Sequence, residues 1–216
     1  MGKTLYSLML SDDVVREVDA LAHRSGMSRS GLVNRILAEY VSVVTPEQRI
    51  SDIFRAIEGL VASSQELVPF FTPNSATMSL KSSLAYKYRP TVKYEVELGS
   101  DDGGRLGELS VVFRTQSVSL ISDMTEFFRL WTGIENRRLA PIIGKQISCS
   151  LYDGRFVRPI FMPHSAGLTS DGIASALSDY IQLFDRLLKS YLSGELTGAE
   201  IEKVYINDLK NRSVII

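Results

Sequence analysis

Cysteine occurs once in the 216-residue chain, at Cys149, and histidine only twice, at His23 and His164. A single thiol excludes an internal disulfide framework. Neither Cys-x-x-Cys nor His-Glu-x-x-His is present, so no metal site and no other cofactor is expected. A Ser–His–Asp or Cys–His arrangement would have to use one of two histidines that lack any local signature, so no enzymatic activity is expected. Charge of one sign is also missing. The 24 Lys and Arg are matched by 25 Asp and Glu, a formal net charge of −1, and any basic surface must therefore be local. No apolar run approaches the roughly 20 residues of a membrane span, and Met-Gly-Lys-Thr lacks the apolar core of a signal peptide. These absences point to a soluble, cytoplasmic protein with no membrane partner.

What is present is organised around the first forty-odd residues. Thr4 to Leu10 alternates, with Tyr6, Leu8 and Leu10 on one face and Leu5, Ser7 and Met9 on the other, the pattern of a half-buried strand. Val14, Val15, Val18, Leu21 and Ala22 then recur at helical spacing. Gly26 breaks that helix, and Leu32, Val33, Ile36, Leu37, Tyr40 and Val41 form the apolar stripe of a second. One strand and two short helices cannot complete a sheet or bury their own apolar faces. A second copy of the same stretch is the simplest partner.

From about Lys3 to Tyr40 this pattern resembles the ribbon-helix-helix family of DNA-binding proteins, the Arc, MetJ and CopG type. The resemblance lies in the strand, in Ser11-Asp12-Asp13 at the first helix start, and in Gly26-Met27-Ser28-Arg29-Ser30 opening the second. It implies an intertwined homodimer whose paired strands enter the major groove of double-stranded DNA as an antiparallel ribbon. It also implies that Leu5, Ser7 and Met9 face the bases. Lys3, Ser28, Arg29 and Ser30 then meet phosphates, the last three where free N–H groups at a helix start hold an anion.

Two features depart from the family. Its reading face usually carries Arg, Lys, Thr, Gln or Asn, whereas Leu5 and Met9 offer only apolar contact with thymine methyls and Ser7 makes no bidentate bond. In the same stretch Lys3, Arg16, Arg24, Arg29 and Arg35 are balanced by Asp12, Asp13, Glu17, Asp19 and Glu39. DNA affinity rests largely on phosphate neutralisation. An alternative is therefore a dimerisation module of an interaction protein, antitoxin-like or a scaffold, with weak or no DNA binding.

Beyond Tyr40, Thr45-Pro46-Glu47-Gln48 is a helix start, with a capping box and proline at the first helical position. Ile50, Ile53, Phe54, Ile57, Leu60 and Val61 line this helix, which either pairs with its dimer mate or packs on the next domain. Pro69 and Thr72-Pro73-Asn74-Ser75 mark a loop. From Met78 to Arg114 the period is two, predicting three antiparallel strands: Leu84–Arg89, Val92–Leu98 and Leu109–Phe113. Tyr86-Lys87-Tyr88-Arg89 mixes rings and cations as a nucleic-acid surface does. Alternation instead sends them to opposite faces of a solvated strand. The glycines of Asp102-Gly103-Gly104-Arg105-Leu106-Gly107 read as turn residues; Arg89, Arg105 and Arg114 are able to bind an anionic effector, but nothing in their spacing singles them out.

A core helix carries Leu120, Ile121, Met124, Phe127, Phe128, Trp131 and Ile134, and packing is the better reading of Trp131 than a ligand pocket. Ile147 to Ile160 forms a hairpin around Asp153-Gly154, with Pro159 putting the second strand near an edge. Amphipathic helices follow, one from Ser170-Asp171 to Gly194 and one opening with the capping box Thr197-Gly198-Ala199-Glu200. The tail Ser213–Ile216 is apolar enough to dock.

The expectation is an α+β protein in three parts: a ribbon-helix-helix at 1–44, a helix and linker at 45–76, and a larger α+β domain at 77–216. That last domain has antiparallel strands, long amphipathic helices and a regulatory or oligomerisation role, with a small molecule or protein as effector. The functional expectation is a homodimeric transcriptional regulator, a repressor by type. Nickel-responsive repressors resemble this layout, but their metal site needs His and Cys ligands that this chain lacks.

Overall fold

The computed structural model describes residues 4–62, 66–71, 76–86, 89–102, 104–152, 154–161 and 168–216. Lys3, the loop at Thr72–Ser75, Lys87, Tyr88, Gly103, Asp153 and His164 lie outside the described residues. The chain divides into two units, Met1–Arg49 and Ile50–Ile216. The class is α+β: the described residues form seven helices and a six-stranded antiparallel sheet.

In the smaller unit, α1 (Asp12–Arg24) and α2 (Arg29–Tyr40) are joined at Gly26, whose φ of +62° is one that L side chains rarely adopt. Asp12 and Asp13 sit at the positive end of the α1 dipole and Arg24 at its negative end. The strand expected over Thr4–Leu10 is not formed in the single chain, which begins with its helices. The physical reason is that a strand exists only by bonding to another, and this segment has no ladder to join.

The larger unit is built on β1 (Leu67–Phe71), β2 (Thr77–Ser83), β3 (Thr91–Asp102), β4 (Arg105–Phe113), β5 (Ser150–Tyr152) and β6 (Arg155–Phe161), in the order β1-β2-β3-β4-β6-β5. Register lines up the inward side chains across the sheet: Met78, Val96 and Leu109 in one row, Leu80, Tyr94 and Val111 in the next. These side chains share one core with α3 (Pro46–Val61), through Ile53, Phe54, Ile57 and Val61, and with α4 (Val118–Arg138), α6 (Ser170–Leu192) and α7 (Gly198–Asn211), which packs on α4 and α6. The short α5 (Ala140–Ile143) follows α4 and ends at Gly144 in the left-handed region. The sequence left two roles open for α3; its buried stripe belongs to the core of the larger unit.

Three strand expectations need correcting. The helix expected to reach about Leu67 ends at Val61, and Leu67–Phe71, where Pro69 suggested a loop, is the edge strand β1, in which a residue without an N–H is tolerated. The first strand of the 78–114 region lies at Thr77–Ser83 and not at Leu84–Arg89. Serines at 79, 82 and 83 blur its alternation, while Leu84–Pro90 is the β2–β3 connection, closed by Leu84 N–H to Pro90 O at 3.0 Å. Tyr86 and Arg89, the described residues of the expected ring-and-cation strand, therefore lie in this connection and not on a sheet face. Gly107 is not a turn residue either: it pairs with Leu98 beside a bulge, and a Cβ there would meet Glu97 O at 2.0 Å.

Elsewhere local chemistry and structure agree. Gly154 has φ +71° in the β5–β6 connection, and Pro159 lies beyond the last residue paired with β5. Thr197 and Glu200 form both halves of the capping box of α7. Trp131 is wholly buried and donates to the Tyr180 hydroxyl at 2.9 Å, so it is a core residue. The tail docks, with Ile216 buried.

Candidate nucleic-acid interface

In the smaller unit the helices of the expected motif hold only two fully buried side chains, Ala22 and Leu32. Tyr6, Leu8, Leu10, Val14, Leu21, Ile36, Leu37, Tyr40 and Val41 are all exposed. Two side chains make a small core for a unit of this size, and most of its apolar surface is left uncovered in the single chain. Leu5 and Met9 are 94% and 102% exposed, and Ser7 is exposed with them. All three expected base-facing residues are therefore open to solvent in the single chain. With no strand formed, their shared face is a property of the sequence and not of the single-chain backbone.

Ser28 caps α2. Its backbone is extended, and its Oγ accepts from the Gly31 N–H at 3.1 Å. Ser30 is exposed beside it, with the two hydroxyl oxygens 3.4 Å apart. First-turn N–H groups have no carbonyl one turn back, and the first turn of α2 carries no acidic residue. That is the environment an anion meets favourably. The first turn of α1, by contrast, carries Asp12 and Asp13.

Arg29 stands differently from the expectation. Its Nε and Nη2 both donate to the carboxylate of Asp19, tying the start of α2 to the middle of α1. That bond, with the charge of Asp19, holds the guanidinium more firmly protonated than usual. The expected phosphate contact would require Arg29 to exchange Asp19 for the phosphate. Arg16 is likewise paired, with Asp13 at 2.8 Å, and Arg35 Nη1 lies 3.7 Å from Met27 Sδ.

The larger unit offers little conventional chemistry. Among the described residues no group of three or more His, Cys, Asp or Glu is arranged to hold a metal. His23 is exposed on α1, and burial pushes the Cys149 thiol up to about 12, away from a reactive thiolate. What sequence reading missed is a buried polar cluster. Arg158 Nε donates to Glu135 Oε2 at 3.1 Å, Tyr180 Oη to Glu135 Oε1 at 2.8 Å, and Arg158 Nη2 to the Ile216 carbonyl at 2.7 Å. One signal was available: Arg158 occupies an inward position between Phe156 and Ile160.

Among the described residues no helix is long and apolar enough to cross a membrane. No family model, curated protein or solved structure matches the chain.

Proposed function

We propose that the chain is a DNA-binding transcriptional regulator acting as a homodimer. The Thr4–Leu10 segments of two copies pair into an antiparallel ribbon, with Tyr6, Leu8 and Leu10 turned onto the helices and Leu5, Ser7 and Met9 turned to the major groove. The start of α2, with Ser28, Ser30 and a released Arg29, takes phosphate. The larger unit senses an effector or sets the oligomeric state. One observation carries this reading: a strand-patterned segment lies exposed and unpaired beside two helices whose apolar residues are also uncovered.

Light scattering on the purified chain and mobility-shift titration of a random-sequence duplex pool across salt test it. The expected results are a dimer and an affinity that falls steeply with salt, by about 0.9 log units per log unit of salt for each phosphate neutralised. A monomer, or a duplex affinity indifferent to salt, refutes the proposal.

The alternative, a dimerisation module within a protein-interaction protein, has its own support. Arg29 is neutralised by Asp19, and the outward strand face is apolar at Leu5 and Met9. A dimer that leaves duplex DNA unshifted at low salt selects it.

A further inference from the structure

A groove of about 2060 Å³ opens on the larger unit beside the β2–β3 connection, the end of β4 and the start of α4. It is larger than the roughly 300–1,000 Å³ of ordinary ligand pockets, an open trough with room for a ligand and its water. Its described lining holds two guanidinium groups, Arg89 and Arg114, and no carboxylate. Neither guanidinium forms an ion pair or a side-chain hydrogen bond among the described residues; the Arg89 backbone N–H donates to Tyr86 O at 2.8 Å. Other arginines of this unit are engaged: Arg105 with Glu108 at 2.7 Å, Arg155 with Glu95 at 2.9 Å and Arg158 with Glu135 at 3.1 Å. Of the three cations that their spacing in the sequence did not single out, folding ties up Arg105 and brings the other two to one groove.

The groove also holds a chain of hydroxyls. Tyr86 Oη and Ser117 Oγ each lie 3.0 Å from Ser119 Oγ, so three groups that both donate and accept are already aligned. Arg89 stands at φ +42°, directly before Pro90, a backbone conformation that side chains rarely adopt and that a surrounding structure must hold. Leu84 and Phe113 supply an apolar floor, both buried at the groove wall.

We infer that this groove binds a small-molecule oxyanion. Arg89 and Arg114 take its phosphate or carboxylate group, the Tyr86–Ser119–Ser117 hydroxyls complete the polar contacts, and its body rests on the apolar floor. The inference stands independently of the DNA reading, since it uses no residue of the smaller unit.

Calorimetric titration of the full chain with sodium pyrophosphate and, separately, with sodium citrate tests it, ionic strength being matched with sodium chloride. Saturable binding of one equivalent of at least one probe is expected, and the preferred probe separates a phosphate ligand from a carboxylate. Arg89→Gln and Arg114→Gln should each weaken binding about tenfold or more. Arg105→Gln should leave it unchanged. Both groove arginines are exposed, so unaltered circular dichroism and melting should accompany the loss. Absence of saturable binding to either probe overturns the inference, as does wild-type affinity in both groove variants. If those variants lose duplex binding and keep anion binding, the groove belongs to a nucleic-acid surface and the inference is equally lost.

Discussion

Glu135 of α4 and Arg158 of β6 form an ion pair at 3.1 Å with both side chains closed off from solvent. Burial works against the guanidinium charge, and the facing carboxylate more than restores it, so Arg158 is held protonated. Breaking such a pair from one side is costly because the other charge stays behind. Glu135→Ala should lose about 3–5 kcal/mol in urea unfolding. The double change Glu135→Leu with Arg158→Met should recover most of that loss, since no buried charge remains. A double variant as unstable as the single would show that the Tyr180 and Ile216 contacts matter more than the ion pair.

Stability should decline in alkali. Burial first, then the charge of Glu135, raises the Cys149 thiol from 9.0 to about 12. Burial also raises Tyr94, Tyr180 and Tyr205 above the ordinary phenol range. An acid that ionises less readily when folded contributes its full stability while both states are protonated. That contribution drains away as the unfolded state ionises first, from about pH 9 toward 12. Urea midpoints measured at half-unit steps should therefore hold below pH 9 and fall above it, with a shallower fall in Cys149→Ser. The same shift leaves about a thousandfold less thiolate at pH 8, so alkylation of the native protein should be slow and should accelerate in denaturant.

Two glycines should respond oppositely to alanine. At Gly107 a Cβ would sit 2.0 Å from Glu97 O, a backbone atom that cannot swing aside, so Gly107→Ala should lower the melting temperature sharply or abolish folding. Gly59 lies in α3 with nothing within 4 Å of its Cβ position. Gly59→Ala should raise stability by up to about 1 kcal/mol through helix propensity and a less mobile unfolded chain. Equal effects at the two sites would contradict the bulge geometry at Leu98 and Gly107.

Asp19→Ala frees Arg29 and removes a negative charge beside the α2 start. On the DNA-binding proposal it should tighten duplex binding severalfold and steepen the salt dependence, read in mobility shifts at several salt concentrations. Arg29→Ala should weaken binding across all sequences. If Asp19→Ala leaves affinity unchanged while Arg29→Ala reduces it, Arg29 acts by joining α1 to α2 and not by meeting phosphate.

Leu8→Asp tests the dimer directly. It puts a charge on the strand face expected to be covered by pairing, so sedimentation velocity should show the dimer giving way to monomer. The circular dichroism of the larger unit, whose core is formed from Ile50 onward, should persist. An undisturbed dimer would locate self-association elsewhere.

The groove arginines and the buried cluster show what one-dimensional reading cannot reach. Arg89 and Arg114 are separated in the chain by two strands, and Glu135, Arg158 and Tyr180 by more than twenty residues at each step. Each looks ordinary in its own window, because nothing local says which cation keeps a partner. Two of the strand misreadings have a related cause. Pro69 and the serines of β2 contradict strand propensity locally and are carried by pairing with neighbours.

By itself the sequence determined what depends on near neighbours: helix starts at Thr45 and Thr197, a helix opening near Ser170, the Gly154 turn, and the aromatic stripe of α4. It also determined that the first forty residues have more apolar surface than they can bury. Only the tertiary structure decided that α3 and β1 join the larger unit, that Arg29 is tied to Asp19, and that Arg89 and Arg114, whose side chains have no partner among the described residues, share a groove. The reason is physical. Caps and turns are satisfied within a few residues of backbone, whereas pairing of charges and strands is settled by which distant segments the sheet and core bring within bonding distance.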